Sequence, residues 1–265
     1  MHAGPPLNAR GRYYHIDCGP GDLAPYILTT GDPGRARRIS RHFDRITLKR
    51  HNREFLTYTG VYHNIPVSVM ATGIGAAPSA IAMVEAAQCV QPATFIRLGS
   101  TGALQEHISL GDLIITTEAR RDENTTHYYA PPDVKARVHP QVLAALKQAA
   151  QELAAPYHLG VTCTTADFYA GQGRLVPGFP TLEPDKVKRL SRAGVLNLEM
   201  EMSAYLTLAA VSTYRIRAGG ACAVFANRIT GAAAFGAKNL HAIEKRLIRV
   251  GLRAVEILAE EDGRK

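Results

Sequence analysis

The fold of this chain is decided by the stretch FIRLGSTG at residues 95–102. The apolar run 92–98 predicts a short strand buried on both faces, as at the centre of a parallel sheet. Arg97 lies inside this run, and an arginine is almost never buried without a partner. The turn expected at 99–102 then offers backbone N–H groups and two hydroxyls. Such a stretch fits an anion-binding site, and it also fits a strand end where Arg97 pairs with a structural carboxylate.

Outward from this stretch, short apolar runs alternate with helical patterns along the chain, and no period of 20–50 residues repeats. This alternation indicates an α/β fold with a mostly parallel or mixed central sheet. Strands are predicted at 25–30, 55–61, 66–71, 113–117, 158–163 and 218–226, and helices at 36–43, 77–89, 143–154 and 240–260. The segment 196–208 is interpreted as a helix or a strand–helix junction.

Polar side chains follow several of these strands, and ligands of α/β sheets bind beyond the carboxyl ends of strands. Glu199 and Glu201 bracket an apolar residue, and positions two apart do not share a helix face, so both cannot be simple surface residues of one stripe. The polar residues at the strand ends favour one shared site; they are Arg35, Arg97 with Ser100, Gln172 with Arg174, and Arg228.

Composition bounds the class of protein. The chain has 265 residues, of which 46% are hydrophobic and 20% charged, as is usual for a soluble globular protein. Its formal net charge of +8 allows nucleic acid, an acidic membrane or small anionic substrates as partners. No block of consecutive basic residues is present. Residues 1–12, rich in Gly, Pro and Arg, are expected to form a flexible tail before a single domain at 13–265.

Cysteine and histidine usage gives no sign of a metal site. The four cysteines are widely spread without a CxxC pair, and the ten histidines form neither HExxH nor a Cys/His cluster. Buried thiols in a reducing compartment are therefore expected. The N-terminus has no apolar signal core, and no apolar run reaches the length of a membrane span. These features predict a cytoplasmic protein.

Eight short motifs, taken in order and at their spacings, resemble the nucleoside phosphorylase family from about Tyr14 to the last helix. They are GDPGR (31–35), NREF (52–55), TGIG (72–75), FIRLGSTGAL (95–104), LGDLIIT (110–116), DFYAGQGR (167–174), NLEMEMSA (197–204) and ANR (226–228). The resemblance implies a three-layer α/β/α sandwich around a mixed, partly barrel-like central sheet. It also implies a dimer-based homo-oligomer, usually a hexamer.

The implied activity is reversible phosphorolysis of uridine to uracil and ribose 1-phosphate, with inorganic phosphate as co-substrate and no cofactor. The family pattern assigns phosphate binding to Gly31, Arg35, Arg53, Arg97 and Ser100. Arg53 would reach in from a neighbouring subunit, because the family builds its sites at dimer interfaces.

The same resemblance assigns the rest of the substrate. Ribose would be bound by His15 of a neighbouring subunit, Thr101, Met200 and Glu201. The base would be bound by Phe168, Gln172 and Arg174, with Arg228 supporting that group. The implied catalytic residues are Arg97, Arg174, Glu201 and Arg228.

The residue after the last strand favours a pyrimidine base. Purine members of the family place an aspartate there, whereas this chain has Asn227-Arg228. Ser100 replaces a common threonine, Met202 replaces a serine, and the Pro-Ser pair at 78–79 is displaced by one residue. That displacement leaves open the monovalent cation that some relatives bind near Glu54. The segment 175–188 departs most, so the preference among uridine, deoxyuridine and thymidine also stays open.

Other functions are compatible with parts of the pattern. A purine phosphorylase or a nucleosidase could use the same fold, although water carries no charge that would require Arg35, Arg53 and Arg97 together. A nucleic-acid-binding module is supported by the net charge alone. A catalytically silent nucleoside-binding relative would not need all the charged positions that the chain has.

Overall fold

Ten strands form one mixed sheet in the computed structural model of the chain, which describes residues 4–236 and 240–263. Parallel and antiparallel pairings both occur. The strands of the described part are β1 Tyr26–Thr30, β2 Arg45–Asn52, β3 Phe55–Tyr62, β4 Ile65–Ala71, β5 Ala93–Ala103, β6 Leu113–Asp122, β7 Ala136–Arg137, β8 Tyr157–Thr165, β9 Asn197–Glu199 and β10 Ile216–Asn227.

Helices pack in pairs against this sheet, α3 against α6 and α2 against α5. The helices of the described part are α1 Pro33–Ser40, α2 Ala76–Cys89, α3 Pro140–Glu152, α4 Lys186–Arg192, α5 Met202–Val211 and α6 Leu240–Glu261. The predicted fold, an α/β/α sandwich around a mixed and partly barrel-like sheet, is confirmed. Helix α1 begins three residues earlier than expected, because Asp32 caps it by accepting from the backbone N–H groups of Gly34 and Arg35.

Five of the strands, β5 among them, close into a ring. Strand β5 pairs in parallel with β10, β10 pairs with β6, β6 with β8, β8 with β9, and β9 returns to β5. Strand β9 is antiparallel to β5 and parallel to β8. The carboxyl end of β8 therefore lies beside the second half of β5, and residues of both strands can reach one site.

The turn predicted at 99–102 is wrong, because β5 continues to Ala103. Local sequence favoured a turn through its glycines, but β9 and β10 supply hydrogen-bonding partners on both sides of this half of the strand. Gly99 is needed for close packing, since a Cβ there would lie 2.8 Å from the sulfur of Cys222 and 2.7 Å from Arg97 Nη2. Ser100 therefore lies within a strand and not after one.

The segment 196–208 is a strand–helix junction, as one of its two interpretations predicted. It divides into β9 and α5, with Met200 and Glu201 between them. Strand β2 and helix α4 were not predicted. The β2 sequence, RITLKRHN, is mostly exposed and has no clean alternation, and its extended form follows from pairing with β3.

The N-terminal segment is partly tied to the domain. Residues 1–3 lie outside the described residues, whereas Leu7 bridges Tyr13, and Asn8 Nδ2 donates to Asp17 Oδ1 at 2.7 Å. A boundary between tail and domain at residue 12 stays a prediction.

Helices and cysteines bear on the expectations about membranes and metals. Within residues 4–236 and 240–263 there is no helix long and apolar enough to cross a membrane. All four cysteines are buried and free. Over the same described ranges, no group of three or more His, Cys, Asp or Glu side chains could hold a metal ion.

Gly220 allows β10 to lie close to β5 at Arg97, its register partner. A Cβ at Gly220 would lie 2.5 Å from the Arg97 carbonyl oxygen and 2.9 Å from the Arg97 Cβ. Backbone atoms cannot rotate away as a side chain can. We therefore expect Gly220→Ala to lower the free energy of unfolding by about 1–3 kcal/mol. Urea unfolding measures this, and unchanged stability would show that the two strands separate without cost.

Candidate active site

A cavity of about 390 Å³ lies where the second half of β5 meets the segments that follow β1, β8, β9 and β10. Most of the residues predicted for the site line it: Gly31, Arg35, Arg97, Ser100, Thr101, Phe168, Gln172, Arg174, Met200 and Glu201. The other predicted residues, His15, Arg53 and Arg228, do not line it in the described chain.

Arg97 is both a buried ion-pair partner and part of the cavity wall. Its side chain is 4% exposed, its Nε donates to Glu199 Oε2 at 2.9 Å, and its Nη2 donates to Glu201 Oε2. The two interpretations of Arg97, structural pairing and an anion site, are therefore compatible. Burial would lower the pKa of Arg97, but the two carboxylates outweigh it and raise that pKa. The guanidinium stays charged.

Glu199 was not among the predicted site residues, yet it organises this corner. Its Oε2 accepts from Arg97 and from the backbone N–H groups of Glu201 and Met202, both at 2.9 Å. Its Oε1 accepts from the Thr164 hydroxyl at 2.5 Å. The Glu199 carboxylate thus fixes both the start of α5 and the orientation of Arg97. Its signal in the sequence was the Glu-x-Glu pattern, which does not show whether Glu199 or Glu201 orients Arg97.

Glu201 is the carboxylate that faces both the arginine and the TGIG loop at 72–75. Its Oε1 accepts from the backbone N–H of Gly75 at 2.7 Å, while Oε2 accepts from Arg97. Burial raises the pKa of Glu201, and the Arg97 charge opposes that rise. Gly75 adopts φ +107°, a conformation that favours glycine. The glycine pair of TGIG thus presents a donor to a carboxylate of the chain itself.

Arg35 is buried at the start of α1 and already has partners. Its Nε donates to Glu244 Oε1 at 2.6 Å, and its Nη1 donates to the Leu98 carbonyl at 3.0 Å and to Thr30 Oγ1 at 3.3 Å. Gly31, just before α1, allows the TGIG loop to lie close, since a Cβ there would be 2.9 Å from the carbonyl oxygen of Gly73.

The hydroxyls of Ser100 and Thr101 have different surroundings. Ser100 is exposed and lines the cavity. Thr101 Oγ1 donates to the Leu198 carbonyl at 2.6 Å and accepts from Asn197 Nδ2 at 2.8 Å. The Thr101 hydroxyl hydrogen is therefore used to hold β9 on β5, and only its oxygen could still accept from a ligand.

A second group of polar side chains lies on the segment after β8. Gln172 is 4% exposed, and its Nε2 donates to the Thr165 hydroxyl at 3.1 Å. Arg174 Nε donates to the Phe168 carbonyl at 3.1 Å, and the Arg174 guanidinium lies 4.3 Å from the centre of the Phe168 ring. Burial lowers the pKa of Arg174. One face of Phe168 is thus covered by a cation.

Arg228 lies behind this group. Its Nη2 donates to the Gln172 carbonyl at 3.1 Å, whereas its Nη1 is buried without a hydrogen-bond partner among the described residues. Burial and the nearby Arg174 charge lower the pKa of Arg228 to about 10. Arg228 is half-buried, and leaving its Nη1 without a partner costs free energy.

His15 and Arg53 lie together on the surface, away from the cavity lining. Asn52 Nδ2 joins their segments by donating to the carbonyl oxygens of Tyr14 at 2.8 Å and His15 at 3.0 Å. The His15 ring is held by Glu85, with Nδ1 2.6 Å from Oε1. The Arg53 side chain is 57% exposed, and its ion pair with Glu54 is loose at 3.7 Å.

Apolar side chains at the mouth of the cavity were not predicted. Ile74 and Phe235 line it although they are 73% and 62% exposed, and Phe225 lies beneath Arg35. Single exposed apolar residues carry no signal in a sequence, since many surface positions have them. Their common position around one opening becomes visible only in the fold.

Fold and site together define a class: an α/β enzyme with buried arginines and carboxylates at a barrel-like mixed sheet. Residues 25–257 match the model of the phosphorylase superfamily, and the chain belongs to that superfamily. The resemblance stated from the motifs is thereby confirmed.

Individual relatives agree with this assignment. The chain is 44% identical to a uridine phosphorylase of Thermococcus kodakarensis, over 98% of this chain and 91% of that protein. It is 34% identical to a uridine phosphorylase of Treponema pallidum over 94% and 95%. It is also 30% identical to a guanosine phosphorylase of Halorubrum lacusprofundi, over 82% and 84%.

Proposed function

We propose that this chain is an enzyme that catalyses the reversible phosphorolysis of uridine to uracil and ribose 1-phosphate. The observation that carries the proposal is one cavity with a buried arginine between two carboxylates at one end and the Gln172–Arg174 pair at the other. The similarity to proteins named uridine phosphorylase, over nearly the whole chain, supports the same activity.

The phosphate would bind between Arg35, Arg97, Gly31 and Ser100, with Arg53 supplied by a neighbouring subunit. Two guanidinium groups hold an anion by charge-assisted hydrogen bonds. A phosphate oxygen attacks C1′ of the ribose while the bond from C1′ to N1 breaks, and the electron pair of that bond leaves with the base. Phosphate beside the sugar also stabilises the positive charge that develops on the ribose.

Ribose would be held by Met200, Glu201 and Thr101, with His15 of a neighbouring subunit at the 5′-hydroxyl. Glu201 is an acceptor for sugar hydroxyls, and its contacts with Gly75 and Arg97 fix its orientation. Since Thr101 already donates to Leu198, it can contribute only its oxygen as an acceptor. Loss of an acceptor that binds the sugar weakens the binding of the transition state as well as that of the substrate.

Uracil would leave as an anion stabilised by Arg174, while Gln172 would orient the base. The Thr165 hydroxyl donates to the Asp167 carbonyl at 3.1 Å, so it accepts from Gln172 Nε2, which leaves the Gln172 oxygen for the N3–H of uracil. Arg174 would donate to a carbonyl of the base. Such a donor to the departing base lowers the barrier by about 3 kcal/mol. Phe168 would stack on the base with the face that Arg174 does not cover.

Asn227 favours a pyrimidine over a purine. Its Nδ2 donates to the carbonyls of Gln105 at 2.9 Å and Ile108 at 2.8 Å, and its Oδ1 accepts from the N–H groups of Ile229 and Thr230. The Nδ2 end is thus occupied by the segment after β5 and the Oδ1 end by the turn after β10. A carboxamide also has no acidic proton, so Asn227 cannot protonate a purine base as an aspartate could. A water-using nucleosidase would have no use for the phosphate end of the cavity.

The active assembly would be a dimer-based homo-oligomer, in the family's usual form a hexamer, in the cytoplasm. Arg53 is exposed and His15 is partly exposed, at 57% and 27% of their side chains, which supports a shared site because a second copy could contact both. A monovalent cation near Glu54 stays a prediction. The Glu54 carboxylate already pairs loosely with Arg53, and no step of the reaction above depends on that cation.

Free-base release from uridine and from inosine, each with and without phosphate, tests this function. We expect uracil to appear from uridine only when phosphate is present, because the anion bound by the arginines is itself the nucleophile. Hypoxanthine release would assign the chain to the purine branch and contradict the roles of Gln172 and Arg174. Uracil release without phosphate would identify a nucleosidase, and no release from either nucleoside would contradict the proposal.

A further inference from the structure

The carboxylate of Glu244, near the start of α6, is buried between two arginines of α1. Its side chain is 7% exposed. Oε1 accepts from Arg35 Nε at 2.6 Å and from Arg38 Nη2 at 2.8 Å, and Oε2 lies 2.6 Å from Arg38 Nε. A carboxylate this close to the proposed phosphate site would repel an anion unless its charge were offset.

These contacts decide which part of Arg35 can meet a ligand. A guanidinium has five N–H donors. Nε is used by Glu244, and Nη1 is used by Leu98 and Thr30, while Nη2 has no hydrogen-bond partner within the part of the chain that the structure describes. The donors that remain belong mainly to Nη2, on a residue that lines the cavity.

We propose that Glu244 is a positioning residue for phosphate binding: it holds the Arg35 guanidinium with Nη2 free for the anion, and Arg38 offsets its charge. The proposal rests on the proposed function for the identity of the anion. Glu199 does the same for Arg97, since it occupies Nε of that arginine. Both arginines are thereby oriented before the ligand arrives, which lowers the cost of ordering long side chains on binding.

Arg38 has a second contact that supports its part in the proposal. Its Nη2 donates to Asp32 Oδ2 at 2.8 Å, and Asp32 caps α1 and lines the cavity. Arg38 therefore offsets two carboxylates at the phosphate end. Arg37, on the same helix, is exposed and forms neither contact, so it provides a matched control for charge alone.

The first test is Glu244→Gln in the full-length protein, with steady-state kinetics in which phosphate and uridine are varied separately. We expect the KM for phosphate to rise about 10-fold or more, because Arg35 loses the charge-assisted hydrogen bond that orients it, while the KM for uridine changes less than about twofold. The control is Glu256→Gln, which removes a buried carboxylate of the same helix that pairs with Arg253 at 2.9 Å. It should leave the KM for phosphate unchanged.

A second measurement does not depend on turnover. Inorganic phosphate alone should raise the melting temperature of the wild type and of Glu256→Gln, and Glu244→Gln should need about 10-fold more phosphate for the same increase. An equal response of all three proteins, or a KM for phosphate unchanged in Glu244→Gln, would overturn the role of Glu244. Absence of phosphorolysis in the wild type, with this difference in phosphate response preserved, would contradict the proposed function and leave the role of Glu244 standing.

Arg38→Gln keeps the proposal testable if Glu244→Gln does not fold. Arg38 is one-third exposed, so its loss leaves the core intact while the Glu244 charge is no longer offset. We expect a rise of several-fold in the KM for phosphate relative to Arg37→Gln, which removes the same charge from the same helix. Equal values for these two variants would overturn the proposal.

Discussion

Arg97→Met is expected to lower kcat/KM for uridine phosphorolysis by about 10³-fold, because it removes a donor to phosphate and frees Glu201 from its fixed orientation. The loss should appear at saturating phosphate as well, since the missing donor also acts on the charge that develops in the transition state. The measurement is initial-rate uracil release with both substrates varied. Turnover within about tenfold of the wild type would remove Arg97 from the site.

The same substitution has a separate cost in stability. It leaves Glu199 and Glu201 buried without their cation, and breaking such a group costs about 3–5 kcal/mol. Burial already raises the pKa of Glu201, and Arg97 is what opposes that rise. In the variant the folded Glu201 carboxyl therefore binds its proton more tightly than the unfolded one. By linkage, the stability of the variant should increase as the pH falls from 7 towards 5.

Two further variants separate folding from catalysis. Adding Glu199→Gln to Arg97→Met removes one of the unpaired charges and should recover part of the lost stability without recovering activity. Arg217→Met is the converse control, because Arg217 lies on β10 and pairs with Asp262 at 2.5 Å, outside the cavity lining. It should reduce stability and leave phosphorolysis near the wild-type rate. A double variant that regains both properties would contradict a direct role for Arg97.

The sequence alone predicted the parts of the site that depend on local pattern. A buried strand around Arg97 and polar residues after other strands follow from periodicity, and the fold brings Arg35, Arg97 and Gln172 to one cavity as expected. The strand beyond Leu98 was missed because its form depends on pairing with β9 and β10, which are about 100 residues or more away in the chain.

Partners of the buried arginines were also outside the reach of local pattern. A sequence shows that a buried arginine such as Arg97 needs a carboxylate, but Glu199 lies 102 positions from Arg97. Glu244, the partner of Arg35, lies 209 positions away from it. Many acidic residues satisfy the same requirement until the chain is folded. The wall formed by Phe235 and Ile74 is a similar case, since only the closed sheet brings both to one opening.

A shared site between two subunits is tested by Arg53, which is exposed and does not line the cavity of its own chain. Arg53→Ala should lower kcat/KM by about 10²-fold through loss of a charged phosphate contact. Its 57% exposed side chain and loose ion pair mean that stability should not change. An Arg53→Ala protein with the wild-type kcat/KM would show that Arg53 has no part in the site.

Mixing two inactive variants decides whether Arg53 acts on its own subunit or on its neighbour. In a dimer that pairs Arg53→Ala with Glu201→Gln, one site has a native Glu201 from the first subunit and a native Arg53 from the second. The other site has lost both. Random pairing makes half of the dimers mixed, so co-expression should restore about one quarter of wild-type activity. If Arg53 served the site of its own subunit, each site would keep one defect and the mixture would stay as inactive as its parents. The restored fraction therefore measures the exchange of Arg53 across the interface directly.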